Sequence, residues 1–129
     1  MNTSLFTDFV VVKPDQTSKI ESADPMLYER LETDYKGFKG CQLVSCYEFE
    51  KDWDIWEMHP KGDEIVVLMS GKASLFFETD TDTSEMLLSK PGDFSIVPKN
   101  TWHTAKIFTP SRLMFITPGE GTQTKKVIT

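Results

Sequence analysis

The stretch Trp53-Asp54-Ile55-Trp56-Glu57-Met58-His59-Pro60-Lys61-Gly62-Asp63-Glu64 governs the reading of this chain. Glu57 and His59 are two residues apart, so on an extended strand both side chains point to one face. Pro60 to Asp63 has the composition of a turn, and Glu64 opens an apolar run, Ile65 to Met69. Two adjacent strands joined by that turn bring Glu57, His59 and Glu64 into one small volume. Imidazole and carboxylate are ligands for zinc and the first-row divalent metals. A fourth candidate, His103, closes the distant stretch Pro91-Gly92-Asp93-Phe94-Ser95-Ile96-Val97-Pro98-Lys99-Asn100-Thr101-Trp102-His103.

Outward from these two stretches the pattern stays β. Strands are predicted at Gln42 to Phe49, Asp54 to His59, Glu64 to Met69, Ala73 to Glu78 and Met86 to Leu88. Three more are predicted at Phe94 to Val97, Thr104 to Phe108 and Leu113 to Thr117. Short strands separated by turn residues argue for an antiparallel sandwich or barrel. Ser70-Gly71 has hairpin composition. Thr117-Pro118-Gly119-Glu120-Gly121 ends the barrel, and the tail beyond it reads as mobile. Before Cys41 the sequence offers a strand at Phe9 to Val12 and one helix. Asp24-Pro25 starts that helix, Leu27, Leu31 and Tyr35 form its narrow apolar stripe, and Gly37 stops it. So narrow a stripe predicts a flap on the outside of a sheet.

These 129 residues make one domain, with 39% hydrophobic and 26% charged residues, a globular rather than a disordered composition. The net charge of −6, with Lys and Arg scattered, repels phosphate backbones and argues against nucleic acid as a partner. No apolar run approaches the ~20 residues of a membrane helix. The first residues lack the basic start and apolar centre of a signal peptide, which sets cytoplasmic as the expected location and excludes a membrane partner. Cys41 and Cys46 would be about 16 Å apart on a strand and on opposite faces, so they are expected as free thiols in a reducing compartment.

The two stretches resemble the two sequence motifs of the cupin superfamily. In that family the first runs Gly-x5-His-x-His-x(3,4)-Glu-x6-Gly and the second Gly-x5-Pro-x-Gly-x2-His-x3-Asn. His59, Glu64 and Gly71 fall at the spacings of the second His, the Glu and the final Gly of the first motif. Gly92, Pro98 and His103 match the first Gly, the Pro and the His of the second. The departures are Lys51 for the first Gly, Glu57 for the first His, Asn100 for the second Gly and Ile107 for the final Asn. Asn tolerates the left-handed backbone that Gly would supply at position 100. The resemblance covers roughly residues 41–117.

The resemblance implies an all-β cupin jelly-roll β-barrel with a short N-terminal helix. Residues 1–40 form the N-terminal strand and helix, 41–121 the barrel and 122–129 the tail, in one domain. It further implies one divalent metal per chain (Fe, Mn, Ni or Zn) at Glu57, His59, Glu64 and His103, beside a small-molecule ligand in the barrel mouth. Strand parity supports the set, because Glu57 and His59 share a face with Ile55, Glu64 with Val66 and Leu68, and His103 with Ala105 and Ile107. Candidate substrate contacts are Tyr47, as a proton donor, Trp102, at the mouth, and Arg112, for an anion; packing or solvation is the ordinary role of each. By parity Trp56 points away.

The function implied is a metal-dependent enzyme of dioxygenase, isomerase or lyase type. The alternative is a non-catalytic metal or ligand sensor, or a binder that has lost its metal. A homodimer is expected, through Phe9 to Val12 pairing with another chain's sheet edge and through cover for Ile65, Val67 and Met69.

Overall fold

The computed structural model describes residues 2–128. In chain order the elements are β1 (Asp8–Val12), β2 (Ser18–Ser22), α1 (Leu27–Asp34), β3 (Gln42–Phe49), β4 (Ile55–Met58), β5 (Glu64–Glu78), β6 (Thr83–Leu88), β7 (Phe94–Val97), β8 (His103–Thr117) and β9 (Gln123–Lys126). The protein is therefore mostly β with one short helix.

Two long strands form the spine. β5 and β8 lie antiparallel from Ile65 opposite Ile116 to Phe77 opposite His103. The sequence predicts each as two strands, with a hairpin at Ser70-Gly71. Instead the chain runs straight through, and the register shifts between Leu68 and Ala73 absorb the irregularity. Gly71 is required there, because its φ is +92° and a Cβ would lie 2.4 Å from the Pro110 carbonyl oxygen. Ser111 stitches the bulge, accepting the Lys72 N–H at 3.0 Å and donating to the Thr109 carbonyl at 2.7 Å.

The bulge divides the spine into two halves with different neighbours. β3 and β7 flank one half, through Leu43 to Phe49 beside β8 and Phe94 to Val97 beside β5. β4 and β6 flank the other. β1 and β2 extend the sheet beyond β3, and β9 lies on the free edge of β4. Between its ends no pairing joins the described strands, so the sheet is open where a closed barrel is expected. β4 has four residues and meets β8 at one pair, too little to carry a closing ladder.

Inward-facing residues of both halves, among them Val66, Leu68, Leu75, Ile107, Leu113 and Phe115, make the main core. A second cluster joins Phe9 and Val11 of β1 and Leu43 of β3 to Leu27 and Leu31 of α1. Tyr47 packs against both. The helix thus sits on the inner face of the β1–β3 extension, not outside the sheet. Burying Leu27 and Leu31 there is worth about 2 kcal/mol each. Asp24 accepts the Met26 N–H at 2.9 Å, and the helix proper starts at Leu27. Glu21, buried at 7% exposure, anchors the helix by accepting from Tyr35 Oη at 2.5 Å and Arg30 Nε at 3.1 Å. Cys41 and Cys46 are free and buried, as expected.

Two sequence expectations about the ends of the chain are corrected. β1 is an interior strand between β2 and β3, so its edges are used within the chain and are not open to a partner. The tail does not stay apart either, since Gln123–Lys126 pairs with β4. The strand was hidden because its four residues are polar and exposed. Among the described residues no helix is long and apolar enough to cross a membrane.

Candidate metal centre

The turns of the two motifs are bonded to each other. Asn100 N–H donates to the His59 carbonyl at 3.0 Å and Lys99 N–H to Asp63 Oδ1 at 2.8 Å. Asn100 sits at φ +65°, the left-handed conformation expected where the motif has Gly. These bonds fix the end of β4 against the start of β8. There Glu57 is the residue directly opposite His103, so their side chains share a face. His59 follows β4 and Glu64 begins β5.

The structure thereby brings all four residues together. His103 Nε2 is 3.0 Å from Glu64 Oε1, and His59 Nε2 is 3.3 Å from Glu64 Oε2 and 3.7 Å from Glu57 Oε2. One ligand atom each of Glu57, His59 and His103 lie within 4.8 Å of one another. His59, Glu64 and His103 are buried, while Glu57 is partly open to the cavity. Among the described residues no ion pair ties Glu57 to Lys51 or Lys61; its Oε2 lies 3.7 Å from His59 Nε2.

The hydrogen bonds behind the imidazoles assign a tautomer to each ring. Thr122 gives its hydroxyl proton to the Gly119 carbonyl at 2.9 Å, so its oxygen, 2.8 Å from His59 Nδ1, accepts from that nitrogen. His103 Nδ1 is 3.3 Å from the Thr101 carbonyl, which can only accept. Both rings are therefore protonated at Nδ1, and in the neutral form each turns an Nε2 lone pair towards the carboxylates. His59 Nε2, His103 Nε2 and Glu64 Oε1 are buried without a hydrogen-bond partner, so the short approaches among them are not hydrogen bonds.

A buried carboxylate facing two lone pairs is repulsive unless positive charge lies between them. The observed separations of 3.0 to 3.7 Å match those between neighbouring ligands about 2.1 Å from a common centre. The donor set fits a divalent cation.

Electrostatics separate the two carboxylates. Burial pushes the Glu64 carboxyl up, but positive charge at the His103 and His59 Nε2 positions outweighs it and holds its pKa down at about 2. Thr117 Oγ1 also donates to Glu64 Oε2 at 2.5 Å. Glu57 is raised, first by burial and then by the neighbouring Glu64 charge. For His103, burial lowers the pKa, but the Glu64 carboxylate outweighs it and leaves it raised.

Glu57, His59 and Glu64 of the cluster line a cavity of about 890 Å³, with His103 buried behind them. Its walls are largely aromatic and aliphatic, including Phe38, Leu43, Phe49, Trp53, Ile55 and Phe115. α1 supplies Tyr28 and Leu31, and β9 with its preceding turn supplies Thr122 and Thr124. Tyr47 lies in the wall with its hydroxyl hydrogen-bonded to Tyr28 Oη. A second cavity of about 460 Å³, lined by Lys13, Gln42, Lys61 and Glu120, lies away from the cluster.

Two candidate contacts fall elsewhere, for reasons of parity. Trp102 precedes His103 by one residue and points to the other face, where the Lys125 ammonium lies 4.5 Å from its ring centroid. Arg112 likewise alternates with inward Leu113; it pairs with Glu48 at 2.7 Å and stacks on Phe6. Trp56 sits outside under Lys125, as parity predicts. Lys51 is at the cavity rim, and Ile107 is buried in the main core. The polar groups behind the ligands, Thr101, Thr117 and Thr122, are not legible as site residues, because nothing in their spacing marks them.

No family model matches this chain, and no curated protein matches it. Similarity appears among solved structures. A cupin-2 domain-containing protein from Shewanella frigidimarina is 21% identical, with a TM-score of 0.51 over 60% of this chain and 70% of that one. An oxalate oxidase is 13% identical, with a TM-score of 0.54 over 63% of this chain and 44% of its own. A hydroquinone 1,2-dioxygenase from a Sphingomonas species, with 4-hydroxybenzoate bound, is 14% identical, with a TM-score of 0.50 over 59% and 58%. The chain spans less than two thirds of the length of these two enzymes. At such identities the likeness is one of fold, and the fold is that of the cupins.

Proposed function

We propose that this cupin-fold chain holds one divalent metal ion, Fe, Mn, Ni or Zn, at Glu57, His59, Glu64 and His103. With it the protein acts on a small organic molecule in the adjoining cavity, in a reaction of dioxygenase, isomerase or lyase type. One observation carries this reading: two buried imidazoles, each fixed by a hydrogen bond at Nδ1, aim unpartnered Nε2 atoms at a buried carboxylate. Two imidazoles and two carboxylates suit a borderline to hard dication and offset its charge.

When bound, such an ion supplies Lewis-acid polarisation of a carbonyl, enediol or carboxylate. The chain's own groups do the rest. Phe49, Trp53 and Phe115 exclude water and orient a mainly apolar body, which turns its polar end towards Glu57 and the cluster floor. Tyr47 and Tyr28, paired through their hydroxyls on the wall, hold a proton within the cavity. Burial, with the Glu57 charge adding to it, raises the Tyr47 hydroxyl above the usual phenol range against the opposing effect of its hydrogen bond with Tyr28.

The test is elemental analysis of protein purified without chelator, followed by a metabolite screen of the metal-loaded chain with oxygen uptake recorded. Stoichiometric metal with turnover of one compound class supports the proposal. Stoichiometric metal with tight ligand binding and no turnover would favour the sensor reading.

A further inference from the structure

The cavity beside the cluster carries a charge pattern that the four candidate ligands do not account for. Glu32 of α1 and Asp52 and Asp54, which flank Trp53, are on its lining, and Lys51 is the one basic residue there. Among the described residues none of these three carboxylates enters an ion pair. Asp52 is fixed in place, its Oδ1 accepting the Ile107 N–H at 2.7 Å. Glu32 stands one helical turn after Tyr28, and both line the cavity. The guanidinium that could have received an anion, that of Arg112, lies on the other face of the sheet in its pair with Glu48.

The aromatic part of the wall is continuous. Tyr47, Phe49, Trp53 and Phe115 all line the cavity and pack on one another with ring centroids 5.5 to 6.3 Å apart. Tyr28 adds a fifth ring from α1, its hydroxyl bonded to that of Tyr47. The faces of such rings are electron-rich. A neutral apolar molecule needs only the rings, and the carboxylates add nothing to its binding. An anion is repelled. Rings and carboxylates together attract an organic cation, the first by cation–π contact and the second by Coulomb attraction.

We infer that the molecule taken up in this cavity is an organic cation, an ammonium compound. Its charged end lies against the aromatic wall beside Asp52 and Asp54, and its other end points towards Glu57. This rests on the reading of the cavity as the substrate site and names the class of substrate. The charge balance holds with an ion in place. Glu57 and Glu64 then offset the dication, and selection falls to Glu32, Asp52 and Asp54, opposed by Lys51 alone. The net charge of −6 adds to the same preference at longer range. The cavity thus takes the opposite charge from the anion for which Arg112 is a candidate on sequence alone.

The test is calorimetric titration of the intact chain with three probes of similar shape and different charge: benzylamine, benzyl alcohol and benzoate. Benzylamine should bind tightest, by roughly 10-fold over benzyl alcohol, with benzoate weakest. Added salt should weaken benzylamine and leave benzyl alcohol unchanged. The double variant Glu32→Lys/Asp54→Lys changes two exposed positions and should reverse the order of benzylamine and benzoate, with an unchanged circular dichroism spectrum. Phe49→Leu should cost benzylamine more affinity than benzyl alcohol. Benzyl alcohol bound as tightly as benzylamine, or a wild-type preference for benzoate, would overturn the inference. So would no binding of benzylamine at millimolar concentration, or an order unmoved in Glu32→Lys/Asp54→Lys. Each titration is run on chelator-treated and on metal-loaded chain. Cation selectivity in a chain that takes up no metal would uphold this inference and sink the metal reading, and metal uptake without selectivity would do the reverse.

Discussion

Thr122 Oγ1 accepts a hydrogen bond from His59 Nδ1 at 2.8 Å and donates one to the Gly119 carbonyl at 2.9 Å. A residue of the turn before β9 thus fixes the tautomer of a candidate ligand 63 positions earlier. Thr122→Val removes the acceptor and keeps the shape. It should weaken metal binding about 10- to 100-fold, the usual effect of losing a partner behind a ligating histidine. Thr122→Ser should restore most of the affinity. Titration of the three proteins with Zn and Mn checks this, and equal affinities would show that the Thr122 contact does not orient His59.

Glu57 is where this chain departs from the family pattern. As a ligand it adds negative charge and favours harder ions, so Glu57→His should shift preference towards nickel, copper or zinc. Glu57→Ala should weaken binding less than His59→Ala does. Competition titrations with Mn, Fe and Zn give the ranking. Unchanged affinity and selectivity in Glu57→Ala would mean that the carboxylate only lines the cavity.

Gly71 and Gly92 separate backbone strain from steric exclusion. Both have positive φ, but a Cβ at Gly71 meets Pro110 and Ser111 within 2.7 Å, whereas at Gly92 nothing lies within 4 Å. Gly71→Ala should lose about 3 kcal/mol of stability, from strain and overpacking together. Gly92→Ala should lose only the backbone part, about 1 kcal/mol. Urea denaturation measures both, and equal losses would contradict the role given to the bulge.

Glu21 gives the N-terminal segment a pH dependence. The Tyr35 hydroxyl holds its carboxyl below the usual range; burial opposes this and Arg30 adds to it. A folded pKa below the unfolded one stabilises the native state above the unfolded value, near 4.3, and that stability is lost as pH falls through the folded value. Tyr35→Phe removes the largest cause. Its stability loss should be about 1 kcal/mol at neutral pH and shrink in acid. Thermal melts at pH 7 and about pH 3 decide, and a pH-independent loss would assign Tyr35 to packing alone.

Much of this was legible in the residues. β3 and β7 match their predicted bounds because alternation and turn residues mark both ends. The site was legible because strand parity and two fixed spacings suffice to place Glu57, His59, Glu64 and His103. The joins at Gly71 and Pro110 were not, because a bulge has the same local composition as a turn. β9 carries no apolar alternation, so pairing with β4, not patterning, makes it a strand. Trp102 is suggested by its place beside His103 and Arg112 by the affinity of a guanidinium for an anion, and strand alternation turns both outward. The inward face of α1, Leu27 and Leu31, is the stripe that periodicity marks, but the Glu21–Arg30 contact that anchors the helix joins residues nine apart and periodicity does not reveal it.

The central claim is that the buried Nε2 atoms of His59 and His103 and the Glu64 carboxylate, with Glu57, close on one cation. Calorimetric titration of chelator-treated protein with Mn, Fe, Ni and Zn tests it most directly, alongside His103→Ala. The account predicts one ion per wild-type chain for at least one of these metals. It also predicts a strong loss of affinity in His103→Ala with the circular dichroism spectrum unchanged. No binding of any of the four metals, or equal binding by wild type and His103→Ala, would contradict it.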